Sequence, residues 1–327
     1  MSNTEHTKIL AYQLAQRSPA QVIAETMTLV LIALAALLGN SCVLFVFYKS
    51  PRLRTVTNYY IMTLAMSDVA MVIVAMTPTI IVAGSGRNVM GVTAGLVVGF
   101  IAYALVFGTL QTTTLIAVNR FFCVVKPLTY RKYFKPKNAI IMIIGVWIFS
   151  FSNTAVVYLS GMATSKFFPG RFIYMLAYND KTTELIFQLT SCIFFIVIPL
   201  SLTIICYWKI CEVIKGHNDA VSSSFHVGPS GSNSSLSKEE VHITKSVLAL
   251  VCGFVVCWIP CTSVLFLSTY INLPRHAEMI FTYSTYASSA INPIVFNMFN
   301  KPFRSRLVQV LGYKTRRITN VSSVNAR

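Results

Sequence analysis

Asp68 is the only acidic residue lying deep in any long apolar run of this chain, and Arg120 is the cation that closes another. Counted from Thr57, Asp68 sits 11 residues into its run, ~16 Å along a helix and near a bilayer midplane. A carboxylate at that depth costs ~2.5–3.5 kcal/mol on insertion scales, so it needs partners. Asn40, Thr109, Ser288, Ser289 and Asn292 supply hydroxyls and amides in other runs. One negative charge among oxygen donors suits a small hard cation such as Na⁺. Arg120 lies 28 residues beyond Val92, ~42 Å along a helix, so it has just left a hydrocarbon core of about 30 Å. It reads either as an arginine snorkelling to headgroups or as a cation that changes partners when a bundle moves. Its neighbour Asn119 is neutral, and Glu240, at the inner end of a later run, is the expected resting partner.

The composition says what solvent holds these residues. Of 327 residues 55% are hydrophobic and 11% charged, less than half the ~25% usual in soluble proteins. Seven apolar runs of spanning length fall at roughly 26–47, 59–83, 92–118, 139–160, 185–207, 247–269 and 279–299. Each must be helical, because an unpaired backbone group in lipid costs several kcal/mol. With the N-terminus outside, 20 of the 27 Lys and Arg residues lie on inner segments, which fixes the orientation. Attraction to anionic lipid then accounts for the net charge of +17, and no nucleic acid is needed. The eight cysteines fall in the runs or at their inner ends and read as small buried hydrophobes, not as loop disulfides. Residues 1–24 are polar, so no cleavable leader is expected there.

The expected fold is all-α, an integral membrane bundle of seven helices with a short amphipathic eighth. Residues 1–25 form the extracellular N-terminus, 26–300 the bundle, 301–312 a helix on the inner membrane surface and 313–327 the cytoplasmic tail. Pro199 is expected to bulge or kink the fifth helix and Pro260 the sixth. Trp147 reads as packing. The aromatic stretch from Gly161 to Glu184 covers a cavity mouth or joins the interfacial belt, and the Ser- and Gly-rich stretch from Gly216 to Ser237 reads as a flexible linker.

Taken together these residues resemble a rhodopsin-like (class A) G-protein-coupled receptor over about residues 26–312. Gly39-Asn40 is similar to the first-span motif, Leu64 to Asp68 to the sodium-site motif, and Asn119-Arg120-Phe121 to Asp-Arg-Tyr. Trp147, and Pro199 with Tyr207, match the fourth- and fifth-span markers. Phe254 to Pro260 resembles Phe-x-x-Cys-Trp-x-Pro, and Asn292-Pro293 through Phe296 resembles Asn-Pro-x-x-Tyr. The inner half is most similar to amine, melatonin and opsin-type members. The departures bear on the ligand. Gly95 stands where the third-span cysteine belongs, and its outer-loop partner is missing too. Ala102 stands where amine receptors carry Asp, against a protonated amine held in the usual way, and Tyr286 replaces the retinal lysine of opsins.

The resemblance implies a receptor, not an enzyme, in the cell membrane, with a heterotrimeric G protein, arrestin, a receptor kinase and membrane lipid as partners. Coupling and activation would rest on Asn119, Arg120, Phe121, Tyr207, Glu240, Trp258, Pro260, Asn292, Pro293 and Phe296. A small ligand, or alternatively a short peptide, would meet Ala102, Tyr103, Val106, Gln188, Cys261, Thr262, Thr282, Tyr283 and Tyr286, with Trp258 as the floor. No cofactor is expected beyond an allosteric Na⁺ at Asp68, Thr109, Ser288, Ser289 and Asn292. A seven-span transporter or channel would need a charged path, yet Asp68 is alone. An intramembrane hydrolase would need a catalytic pair, and no His or second carboxylate lies in any span.

Overall fold

The computed structural model of the chain describes residues 3–51, 55–224, 238–299 and 301–310. In chain order these form α1 (Asn3–Ala15), α2 (Pro19–Lys49), α3 (Val56–Met71), α4 (Thr77–Ser85), α5 (Val92–Val125), α6 (Pro127–Tyr133) and α7 (Pro136–Leu159). A hairpin of β1 (Ala163–Phe168) and β2 (Ile173–Tyr178) follows, then α8 (Lys181–Cys192), α9 (Ile198–Ser224), α10 (Lys238–Tyr270), α11 (Arg275–Phe299) and α12 (Lys301–Val310). Among the described residues five helical segments are long and apolar enough to cross a bilayer by themselves; in α10 the apolar stretch Val255–Tyr270 is shorter. The helices overrun the apolar runs, as α5 does by reaching Val125, because hydropathy marks the lipid-immersed part and not the end of the hydrogen-bond ladder. Likewise α9 continues through Ser224, into the stretch read as linker, and residues 225–237 lie outside the described residues.

Local sequence explains the boundaries. Pro19 occupies the first turn of α2, and Ser18 and Gln21 exchange capping bonds of 3.3 and 2.9 Å. Asp180 accepts from both the hydroxyl and the backbone N–H of Thr183, which caps α8 and holds the Asp180 carboxyl below the usual carboxylate range. Two π-turns interrupt spanning helices, Val72–Met76 between α3 and α4 and Ile193–Val197 between α8 and α9. Each ends two residues before a proline, Pro78 and Pro199, whose missing N–H and bulky ring break the regular ladder. The side chains of neighbours absorb the freed carbonyls. Thr77 donates to Val72 O at 2.9 Å, and Gln111 of α5 donates to Phe194 O at 3.1 Å.

α5 runs through the middle of the bundle, packed against α3, α7, α9 and both strands, while α10 and α11 pack along each other. At the inner end Phe47, Tyr60, Ile116, Tyr207 and Ile210 share one buried cluster with Phe303. Phe303 brings the apolar face of α12 onto α2, its ring 5.7 Å from that of Phe47. Trp147 lies on Gly108 of α5, so it is packing, as expected.

The outer surface holds more structure than its sequence announces. The hairpin pairs Ala163 with Tyr178 through to Phe168 with Ile173, and it lies over α5. Tyr174 rests against Gly95, where any Cβ would overlap the ring. Its hydroxyl donates to Met90 O at 2.7 Å and accepts from Asn88 at 2.6 Å. All eight cysteines are free thiols, so packing and hydrogen bonds hold this hairpin to α5. At the hairpin tip Phe172 has φ +61° and is 1% exposed, lying under the guanidinium groups of Arg17 and Arg275. A phenylalanine keeps that conformation only where its surroundings over-determine it.

Gly95→Ala should therefore push Tyr174 off α5 and cost about 1–3 kcal/mol, the usual range for overpacking. Gly145, with open space around it, is the control: Gly145→Ala should be neutral or gain up to about 1 kcal/mol. Thermal melting of the purified protein reads both, and equal midpoints for the two variants would refute the close approach.

Candidate functional site

Three polar layers are stacked along the bundle. The outermost is a cavity of about 480 Å³ that starts under the hairpin and ends on Trp258, Phe107 and Phe195. Phe107 and Phe195 stack with centroids 4.0 Å apart and fix the floor beside Trp258. Ala102, Tyr103, Val106 and Gln188 line the cavity as expected, as do Trp258, Cys261, Thr262 and Tyr286. Within it Tyr286 shares a 2.8 Å hydrogen bond with Thr79, and Cys261 a 3.2 Å contact with Thr285.

Thr282 and Tyr283 are corrections, because neither lines this cavity. Thr282 instead donates to Arg171 O at 2.6 Å, and Tyr283 packs against the apolar cluster that holds Phe172. The face of α11 that does line it carries Glu278, Phe281 and Thr285, spaced three and four residues apart. Sequence reasoning chose the right helix and missed its rotation.

Also missed was the roof. α1 places His6 and Lys8 at the mouth and buries Leu10 and Leu14. Arg17 anchors its end, bonding Leu14 O at 2.9 Å, Ala83 O at 2.5 Å and Glu25 at 2.6 Å. Glu25 in turn accepts from Arg275 at 2.6 and 3.0 Å. Arg171, from the hairpin, is ion-paired with Glu278, bonds Ser268 at 2.8 Å and lies 4.7 Å over the Phe281 ring. The aromatic stretch thus covers the mouth and does not form a belt.

The middle layer is the Asp68 cluster. Asp68 is 1% exposed; Asn292 donates to it at 2.7 Å and Ser289 bonds the same carboxylate. Asn40 donates to Ser289 O at 3.1 Å and to Ala36 O at 2.9 Å. Thr109 stands one step away, donating to Ser67 at 3.3 Å, and Ser288 turns to its own helix at Thr285 O, 2.7 Å. Gly39 lets α2 approach α11 here, since a Cβ would lie 2.5 Å from Pro293.

At the inner layer Thr57 donates to Asn119 at 2.6 Å, and Asn119 and Arg120 are both buried. Tyr130 bonds Asn119 and Thr57, and Tyr207 lies within electrostatic reach of Arg120. The Tyr207 hydroxyl has no hydrogen-bond partner among the described residues. Phe121 makes an edge contact with Phe122 at 5.3 Å. Pro260 lies within α10. The side chains of Glu240, Phe254 and Phe296 lie outside the described residues, and with them the Arg120–Glu240 pairing.

Comparison with known proteins places this architecture. The model of the 7 transmembrane receptor (rhodopsin family) matches residues 39–296. The chain is 27% identical over 285 residues to rhodopsin of Sminthopsis crassicaudata, covering 83% of this chain and 77% of that one. It is 29% identical over 312 residues to neuropeptide FF receptor 2 of Rattus norvegicus, covering 84% and 69%. The crystal structure of squid rhodopsin superposes with a TM-score of 0.75 at 20% identity, over 90% of this chain and 87% of that one. The chain belongs to the rhodopsin family of seven-transmembrane receptors. It is a multi-pass protein of the cell membrane and a G-protein-coupled receptor, in a family that is generally not enzymatic.

If α1 closes the mouth, deleting residues 3–15 should speed labelling of Cys261 by a small polar thiol reagent several-fold. Cys257, which does not line the cavity, is the internal control. Peptide-level mass spectrometry reads both, and an unchanged Cys261 rate would show that α1 does not obstruct entry.

Proposed function

We propose that the outer cavity binds a small extracellular molecule and that its occupation shifts the bundle toward a G-protein-coupled state. The observation that carries this is the cavity itself: about 480 Å³, roofed by α1 and the hairpin and floored by Trp258. That volume lies inside the ~300–1,000 Å³ typical of small-molecule pockets. Such a ligand acts only through contacts that differ between the two states. Trp258 sits two residues before Pro260, so a ligand pressing on the floor acts where α10 lacks one ladder bond. A short peptide is the second reading, favoured by the similarity to neuropeptide FF receptor 2.

The same reading assigns the lower layers. The Asp68 layer holds Na⁺ in the resting bundle, with Asp68, Ser289, Asn292 and Thr109 as oxygen donors. Their burial and chemistry fit a small hard cation. The inner layer receives the G protein, with Arg120 released to Tyr207 and Glu240 as its resting counter-charge. Asn119 supports this division, since it is neutral and already bonded to Thr57. Arrestin and a receptor kinase are the expected further partners at this face.

An agonist found by library screening with a G-protein activation readout should lose at least tenfold in potency, ~1.4 kcal/mol, on Tyr103→Ala or Tyr286→Ala. If those changes are silent while replacement of the hairpin tip abolishes the response, the ligand is a peptide bound above the cavity. Independently of any agonist, Na⁺ at about five times its Kd should stabilise the resting state by ~1 kcal/mol and lower basal nucleotide exchange. Asp68→Asn should remove that dependence, and Glu240→Ala should raise basal exchange. A sodium effect that persists in the Asp68 variant would refute the ion site, and an unchanged basal rate in the Glu240 variant would refute the counter-charge.

A further inference from the structure

We propose that the cavity contains a cation subsite at Glu184, so that the molecule it takes carries one amine- or guanidinium-type positive group. This rests on reading the cavity as the ligand site and adds the ligand's charge and its seat. The argument begins with charge balance. Among the described residues five Lys, Arg or Glu side chains line the cavity: Lys8, Lys166, Arg171, Glu184 and Glu278. Lys8 and Lys166 are exposed at the rim, where water solvates them. The inward groups are one guanidinium and two carboxylates. Arg171 and Glu278 neutralise each other, with side chains only 3% and 7% exposed. One carboxyl without an ion-pair partner among the described residues is left over, that of half-buried Glu184.

The groups that hydrogen-bond Glu184 are neutral, and the charges of Arg171 and Lys181 reach its carboxylate only through space. Gln188, one turn along α8 and buried, donates to its Oε1 at 3.1 Å, and Thr269 of α10 reaches the same oxygen at 3.5 Å. Gln188 and Thr269 bond each other at 3.0 Å, so the carboxylate is oriented from two helices. Oε2 has no hydrogen-bond donor and Glu184 no ion-pair partner among the described residues. A carboxylate in the first turn of α8 is favoured by the helix dipole, which explains why it is tolerated there. It does not explain a buried glutamine aimed at it.

The walls beside it fit a cation as well. Tyr178 and Phe187 line the same side of the cavity, their rings 5.4 Å apart, and Tyr178 is within electrostatic reach of Glu184. A positive group seated there gains the carboxylate and two aromatic faces together. The subsite lies on α8, and Trp258, Phe107 and Phe195 line the same cavity, which offers apolar wall to the body of an amine bound here.

The test uses matched fragments on the full-length receptor in lipid nanodiscs, read by thermal melting: 2-phenylethylamine, 2-phenylethanol and 3-phenylpropionate. The amine should raise the melting midpoint at lower concentration than the alcohol, and the carboxylate should be weakest. Glu184→Gln, which keeps the shape and the Gln188 bond partner, should weaken the amine at least tenfold, to the level of the alcohol. Glu184→Asp, which keeps the charge, should restore part of the preference. It also serves as the working variant if the glutamine form melts without a ligand transition. An amine advantage that survives Glu184→Gln overturns the subsite, and so does equal binding of amine and alcohol. Binding of the alcohol without any preference for the amine refutes the subsite and leaves the cavity reading standing. No shift with any of the three refutes both.

Discussion

The Asp68 carboxylate sets the terms for the rest of this molecule. A charge near the membrane midplane is tolerated only when protein replaces the water it has lost. The bundle does so by converging α2, α3, α5 and α11 on one layer. Asn292 donates to Asp68 directly, and Asn40 ties α2 to the backbone of α11 at Ser289. That convergence needs close helix contact, which Gly39 permits by leaving room for Pro293. So a polar requirement on one residue fixes the spacing of helices that otherwise meet through interchangeable apolar surfaces. It also places the layer between the floor of the cavity at Trp258 and the inner cluster around Arg120.

How much of this is legible in the sequence follows from what hydropathy can and cannot encode. Length and charge asymmetry locate the spans and their direction, because lipid punishes every exception. The partners of Asp68 are legible for the same reason: few hydroxyls and amides sit at its depth, and Ser289 and Asn292 are among them. The rotation of α11 is not legible. Both of its outer faces carry Thr and Tyr, and the choice of Glu278, Phe281 and Thr285 over Thr282 and Tyr283 is made by the hairpin. Arg171 takes the carboxylate of Glu278, and its carbonyl takes the Thr282 hydroxyl. α1 is illegible for a related reason. Its residues are weakly amphipathic, and the helix stays in place because Leu10 and Leu14 find buried contacts and Arg17 ties its end to Ala83 and Glu25. The π-turns lie between these cases. Pro199 announces a distortion, but only the fold reveals Gln111 as the donor that makes it tolerable.

The ion pairs on the outer side are better understood as positioning devices than as sources of stability. Taking Arg171 and Glu278 out of water costs several kcal/mol per ion, and the attraction between them roughly returns it. Breaking the pair by removing one partner is a different matter, since a buried charge is then left alone. The pair therefore penalises any arrangement in which the hairpin leaves α11. The ring of Phe172 between Arg17 and Arg275 imposes the same condition on the junction of α1 with α2 and on the start of α11.

Without a covalent tie at Gly95, that penalty, the Tyr174 contact and buried Leu10, Leu14 and Phe172 together hold the roof. The Tyr174 contact and the two buried ion networks are each worth little in net terms, and each is made of groups that water can satisfy once they separate. The inner end shows the opposite economy. Asn119 offers Arg120 no charge, so beside the counter-charge proposed at Glu240 the resting state there draws on packing around Tyr60, Ile116 and Tyr207 and on the Thr57 hydrogen bond. Between these two ends lies the Asp68 layer, which ties α2, α3 and α11 together. No other buried polar contact joins α2, α3 and α11 at the centre of the membrane among the described residues.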